Sequence, residues 1–332
     1  MRIRQPYLMF LGNAGDQLAA KTAQGIVHWR PDWCAGQLRL QGCRADLKIP
    51  DLSPSDAARA GVKTVIVGVA NRGGVLSADW VDILAEALEL GMDLASGLHQ
   101  RLSDHPRLVE TAKRLGRQLF DVRHPTQDFE VATGAKRSGK RLLAVGTDCS
   151  VGKMYTTLAL EREMRRRDLK ADFRATGQTG IFIAGSGVSI DAVVADFISG
   201  AVEWLSPAND DDHWDLIEGQ GSLFHASYAG VSLGLLHGAQ ADALVLCHEP
   251  TRKHMRGLPH YPLPGLKACM TANLEAARLT NPSARFVGIS INTAELPKEQ
   301  AEALLADTEK TFHLPTVDPF RTGVGRIVET MI

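Results

Sequence analysis

Between Lys63 and Pro125 the apolar residues of the chain switch repeatedly between two periods. "KTVIVGVA" (63–70) is a β-branched run closed by the turn "NRGG", which predicts a strand. "SADWVDILAEALELG" follows, with Val81, Leu84 and Leu88 at helical spacing, Ser77 as its cap and Gly91 as its stop. The unit then repeats. "MDLASGLH" predicts a short strand and turn, "HPRLVETAKRLG" a helix with Pro106 near its first turn, and "QLFDVRHP" a strand closed by Pro125. Strands alternating with helices predict a parallel, Rossmann-like sheet. Residues 31–54 show neither period and receive no element.

The polar, aperiodic stretch "QDFEVATGAKRSGK" (127–140) reads as a linker. A second alternating series follows, with strands at "RLLAVG", "ADFRAT", "DLIEG", "DALVLCHE" and "ARFVGISIN". At 332 residues the chain is long enough for two cores. The expected architecture is therefore α/β in two domains, 1–130 with a Rossmann-like parallel sheet and 131–332 with a parallel sheet built around a phosphate loop.

Composition narrows the class further. With 44% hydrophobic and 23% charged residues, a packed soluble protein is expected. Lys plus Arg total 37 against 38 for Asp plus Glu, so no overall field draws in nucleic acid or an anionic membrane, and any anion site must be local. Five cysteines, Cys34, Cys43, Cys149, Cys247 and Cys269, lack the close pairing of a zinc or redox motif, which fits a reduced cytoplasmic setting. The opening apolar run is too short for a signal-peptide core, and no stretch approaches the ~20 apolar residues that span a bilayer. The apolar segment "YAGVSLGLLHG" (228–238) could pack inside a subunit or between subunits, and a homo-oligomer is expected.

Candidate chemistry centres on "AVGTDCSVGKMYTTLALE" (144–161), an apolar strand, a glycine loop ending in Gly152-Lys153, and a helical pattern. Glycines let backbone N–H groups converge on an anion, the helix N-terminus adds partial positive charge and Lys153 adds a full one. Gly146, Thr147, Asp148, Cys149, Ser150, Val151, Gly152, Lys153, Met154 and Tyr155 are thus the candidate phosphate-binding positions. The position after the lysine, where such loops usually carry a Ser or Thr for magnesium, is Met154. A thioether is a poor ligand for a hard cation, and Thr156 and Thr157 lie further round the helix. Phosphate binding without metal-dependent cleavage is expected, and no metal ligands are assigned.

In parallel sheets ligands bind beyond the carboxyl ends of the strands. At those ends "RATGQTG" offers Arg174, Gln178 and Thr179, or only a mobile turn. "DLIEGQGSLFHASY" places Glu218 at a strand end before Gly219, Gln220, Gly221, Ser222 and His225; its carboxylate could hold a metal, take a proton or cap the next helix. "CHEPTRKHMRG" crowds Arg252, Lys253, His254 and Arg256 behind a strand, to pair with carboxylates or phosphate or to face solvent. Asn292 stands where some nucleotide-binding folds read a base, and a plain turn explains it equally well. Lys21, Arg72, His99 and Arg123 are outside candidates in the first domain.

"GTDCSVGK", "ATGQTG" and "IEGQGS" look like the dethiobiotin synthetase branch of P-loop proteins, whose extended loop ends in Gly-Lys-Thr. Over nearly its whole length the chain more closely resembles the D-glutamate N-acetyltransferase family, through "AKTAQGIVHW", "VIVGVANRGG", "DLASGLHQRLSD" and "DVRHP" with "GTDCSVGKMYTTLAL", "RATGQTGIFIAG" and "IEGQGSLFHASYAG". Met154 belongs to that pattern. The resemblance implies an N-terminal Rossmann-like domain, a C-terminal P-loop domain and transfer of an acetyl group from acetyl-coenzyme A to D-glutamate, a small acidic amino acid. It carries over Gly146, Gly152 and Lys153 as the phosphate loop and Glu218 with its Gly-Gln-Gly turn as part of the site.

That chemistry needs a base for the substrate ammonium, an oxyanion site, and cations for two carboxylates. Glu218 and His225 are the candidate bases beside Lys153. The backbone of Gly219–Ser222 can serve the oxyanion, and Arg174, Arg252 and Lys253 can hold the carboxylates. The competing readings are a magnesium- and ATP-dependent ligase or kinase, with Asp148 and Glu218 as weak metal ligands, and a nucleotide sensor without turnover.

Overall fold

The computed structural model describes residues 2–69, 75–125 and 127–332. The chain packs as two compact units, Met1–Thr126 with Gly177–Ala192, and Gln127–Thr176 with Val193–Ile332.

The first unit runs β1 (Tyr7–Gly12), α1 (Lys21–Trp29), β2 (Cys34–Arg39), α2 (Pro54–Arg59), β3 (Thr64–Val67), α3 (Ala78–Glu89), β4 (Asp93–Ser96), α4 (Pro106–Leu115) and β5 (Leu119–Asp121). Its sheet is parallel, in the order β2-β1-β3-β4-β5. The elements read from periodicity form where expected. Strand β2 lies inside the stretch that received no element. Its period is hidden because the buried Gln37 replaces an apolar residue, donating from Nε2 to Asp46 Oδ1 and the Ile49 carbonyl while accepting Leu47 N–H. Ser77 occupies the N-cap of α3, but its hydroxyl makes no capping bond.

The second series runs β6 (Lys140–Gly146), α5 (Lys153–Arg166), β7 (Ala171–Arg174), α6 (Gln178–Ala184), α7 (Ile198–Leu205), β8 (Trp214–Ile217), α8 (Ala229–Ala239), β9 (Ala243–His248), α9 (Leu266–Arg278), β10 (Arg285–Ile291), α10 (Lys298–Phe312), β11 (Thr316–Val317) and α11 (Gly325–Glu329). The six-stranded sheet is parallel, in the order β11-β10-β9-β6-β8-β7. From β6 the chain moves out to β7, returns to β8 beside β6, and crosses to β9 on the other side of β6. The reversal therefore falls at β6, and the crevice beyond its carboxyl end is the expected ligand position. Leu142, Ala144, Leu216, Val245 and Val287 are fully buried in one core around this strand.

One feature departs from the sequence reading and two add to it. Helix α6, within the stretch assigned to the second domain, packs with the first unit, where Ile3 N–H donates to the Gly185 carbonyl at 2.9 Å. The polar linker is pinned: Thr133 N–H and Oγ1 and Gly134 N–H donate to the Glu203 carboxylate, and Gln240 Nε2 donates to the Gly134 carbonyl. Its polarity reflects these partners on α7 and after α8. The apolar segment after Tyr228 forms α8 and packs closely on α7, where a Cβ on Gly238 would lie 2.3 Å from the Ser199 carbonyl. No helix among the described residues is long and apolar enough to cross a membrane.

Candidate active site

Strand β6 ends at Gly146, where a Cβ would sit 2.8 Å from Val151 Cγ2, and the loop closes through Ser150 (φ +54°) and Gly152 (φ +99°). The left-handed turn at Gly152 costs a glycine nothing and starts α5 directly. The N–H groups of Ser150, Val151, Gly152 and Lys153 make no hydrogen bond to another described residue, as the first N–H groups of a helix cannot within the helix itself. Lys153 is buried, and its Nζ donates to the carbonyls of Asp148 and Gly221 at 2.8 Å each. Burial pushes its pKa down. A desolvated lysine hydrogen-bonded to neutral carbonyls, beside N–H groups without protein partners, is an arrangement suited to an anion.

The hydroxyls that follow Met154 are engaged elsewhere. Thr156 Oγ1 donates to the Gly152 carbonyl and meets Ser290 Oγ at 2.7 Å, while Thr157 Oγ1 donates to the Lys153 carbonyl. Thr147 Oγ1 lies 2.9 Å from Nδ1 of His248, a residue at the very end of β9 to which the sequence reading gave no role. Burial lowers the pKa of that imidazole.

Glu218 is buried just beyond β8, with Oε2 accepting Thr176 N–H at 2.9 Å. The next residue has to be glycine, since a Cβ on Gly219 would lie 1.6 Å from the Ala144 carbonyl and 3.0 Å from Lys153 Cδ. Gly221 adopts φ +64°. Gln220 Nε2 donates to Thr176 Oγ1, and Ser222 Oγ donates to the Thr147 carbonyl, which staples this turn to the phosphate loop. The N–H groups of Gly219, Gln220 and Gly221 donate to no other described residue. Gly146 and Gly219 to Ser222 share the wall of a cavity of about 10 Å³, room for about one water.

Several expected site residues are committed to holding the loop. Asp148 is fully buried: Oδ1 accepts Cys149 N–H, and Oδ2 accepts Arg252 Nη1 at 2.6 Å and Arg256 N–H at 2.8 Å. Arg252 also donates to the carbonyls of Cys149 and Ser150, and Arg256 Nη1 bonds Ser150 Oγ. Arg252, expected to hold a substrate carboxylate, is instead a brace for the loop. Arg174 pairs with the buried carboxylate of Asp215 at 2.7 Å, so it too is withdrawn from a substrate role. Lys253 and His254 are exposed. Gln178 and Thr179 lie on α6 in the first unit, with Gln178 against Gly97. Lys21 and His99 are exposed, Arg123 pairs with Asp191, and Arg72 lies outside the described residues.

His225 departs most from its expected role. Nδ1 accepts Ser227 N–H at 3.1 Å, which fixes the proton on Nε2, and Nε2 donates it to the Arg256 carbonyl at 3.1 Å. Neither nitrogen offers a lone pair to a substrate, so the ring is a structural staple. His225→Ala is expected to lower unfolding stability by about 1–3 kcal/mol, measured by chemical denaturation, because two buried hydrogen bonds are lost. Asp148, Cys149 and His225 do bring one ligand atom each within 4.8 Å of one another. Because the Asp148 carboxylate already accepts two N–H groups and a guanidinium, and the imidazole proton faces a carbonyl, this trio is not assigned to a metal.

A glycine loop at the reversal of a parallel sheet, a buried lysine and an acidic residue on the neighbouring strand define a P-loop protein with two α/β units. Residues 130–328 match the P-loop domain of DUF1611, a domain of unknown function, and residues 38–125 match its Rossmann-like N-terminal domain. The chain belongs to this family. A protein of Tritonibacter scottomollicae named D-glutamate N-acetyltransferase is 56% identical over 329 residues, 99% of each chain. A protein of Pseudoalteromonas sp with the same name is 50% identical over 331 residues, 100% of each chain. The crystal structure of a DUF1611 family protein from Anabaena variabilis has a TM-score of 0.85 at 31% identity, covering 98% of this chain and 99% of that one. The family and the two-domain α/β fold read from the sequence both hold.

Proposed function

We propose that this protein transfers an acetyl group from acetyl-coenzyme A to the amino group of D-glutamate. The observation that carries the reading is the identity of 56% and 50%, over essentially the full chain, to two proteins of that name. The site is compatible with it. Coenzyme A is polyanionic, and the N–H groups of Ser150 to Lys153 with the buried ammonium suit a phosphate that is held and not cleaved. The thioester supplies an activated acetyl group and a good leaving group; the protein has to supply the rest.

Glu218 is the base we assign, because its carboxylate stands at the strand end beside the phosphate loop, where Oε2 accepts Thr176 N–H; in His225, Nδ1 accepts a backbone N–H and Nε2 donates to a carbonyl. The N–H groups of Gly219 to Gly221 are the oxyanion donors. Of the three cations expected to meet the substrate carboxylates, Lys253 alone remains exposed, and we assign it there. The free cysteines fit a cytoplasmic setting, and a homo-oligomer is retained as an expectation.

A ligase or kinase would require oxygen ligands for magnesium at the loop. Met154 offers none, and the hydroxyls of Thr156 and Thr157 are hydrogen-bonded within the fold. The deciding experiment follows thiol release from acetyl-coenzyme A with D- or L-glutamate, with and without EDTA. Release with D-glutamate at a rate unchanged by EDTA is the expected result. Absence of thiol release, with divalent-dependent phosphate release from ATP, would replace this reading by the ligase one.

A further inference from the structure

At the carboxyl edge of the six-stranded sheet, beyond β11, a large aromatic ring faces solvent. Phe320 is 59% exposed, and its ring centroid lies 5.4 Å from that of Tyr155, in the first turn of α5, at an interplanar angle of 55°. Its backbone is fixed by Asp318, which is buried and whose Oδ1 accepts the N–H groups of Phe320 and Arg321. The other carboxylate oxygen accepts Thr293 N–H and Oγ1, which ties the turn after β11 to the turn after β10. Asn292 begins that second turn; its Oδ1 accepts Ala294 N–H, and its Nδ2 donates to no other described residue. An aromatic face and an amide donor are thus held at one end of the edge, with the phosphate loop between them and Glu218.

Resting on the acetyltransferase reading, we propose that Phe320, backed by Tyr155 and flanked by Asn292, is the stacking platform for the adenine of the coenzyme. The order of the strands supports this. The platform follows β11 and β10, the anion loop follows β6, and Glu218 follows β8. From β11 to β8 there are four inter-strand steps, roughly 19 Å at the usual spacing, a span that suits a nucleotide joined through a diphosphate to a long acyl-bearing arm. Base, phosphates and acetyl group would lie in that order along the edge. A pre-held ring loses little entropy on stacking a purine, and the amide donor has a ring nitrogen to meet.

The test compares two donors and one fragment. With acetyl-coenzyme A, Phe320→Ala is expected to raise KM about tenfold with kcat nearly unchanged. With acetyl-pantetheine, which lacks the nucleotide, the variant and the wild type are expected to behave alike. Phe320→Trp is expected to keep the wild-type KM. An equal effect of Phe320→Ala on both donors, or no effect on either, overturns the platform. Adenosine 3′,5′-bisphosphate binding, measured calorimetrically, separates this idea from the reaction on which it rests. If the wild type releases no thiol from either donor, the acetyltransferase reading fails. The platform then stands only if the bisphosphate binds about tenfold more weakly to Phe320→Ala than to wild type.

Discussion

Replacing Glu218 by Gln is expected to lower kcat by about two to four orders of magnitude while acetyl-coenzyme A still binds. The amide is the same size as the carboxylate and retains an oxygen to accept Thr176 N–H, so that hydrogen bond beyond β8 is kept. What it loses is the capacity to take a proton from an ammonium, which at neutral pH is the principal obstacle to attack by the amine. A loss confined to kcat, with coenzyme affinity by calorimetry and the melting temperature within error of wild type, identifies a proton acceptor. If kcat is unchanged, Glu218 has no part in the chemistry. If coenzyme affinity collapses with it, the residue shapes the anion site instead.

Gly219→Ala is expected to be the most damaging single methyl in the second unit. The added Cβ would lie 1.6 Å from the carbonyl of Ala144, on the adjacent strand β6, and 3.0 Å from Lys153 Cδ. A backbone oxygen in the middle of a parallel sheet cannot rotate away as a side chain can, so β8 must separate from β6 or the Glu218 turn must leave the loop. The expected cost exceeds about 4 kcal/mol, in the range reserved for disrupted cores, and thermal unfolding of purified protein would read it. Gly230→Ala is the control: it sits in α8 with nothing within 4 Å of the new Cβ, and a neutral or slightly stabilising change is expected. Equal melting temperatures for the two variants would show that the close approach at Gly219 does not exist in solution.

The strands that carry the site were legible because they are buried on both faces, which leaves β-branched and leucine runs between glycine turns, as in "RLLAVG" and "ARFVGISIN". Strand β2 was not, because Gln37 and Gly36 interrupt the run and their reasons lie in segments 46–52. The phosphate loop was equally legible. Its glycines, lysine and following helix act through neighbours within a few residues, and the absence of a metal hydroxyl at Met154 needs no tertiary information.

The charged residues were different. Arg174 and Arg252 carry the right group for a carboxylate, and no local pattern distinguishes a cation that meets substrate from one that meets the fold. Their partners, Asp215 and Asp148, are 41 and 104 residues away in sequence. The two ring nitrogens of His225 are likewise committed, Nδ1 accepting a backbone N–H two residues on and Nε2 donating to a carbonyl 31 residues away. Residue order was enough to read the loop, its helix and the charge of the ligand they suit, because those depend on short-range backbone geometry and residue type. Which acids, bases and cations are paired within the fold became visible only with the long-range contacts, because that depends on which counter-charges folding brings within hydrogen-bond distance.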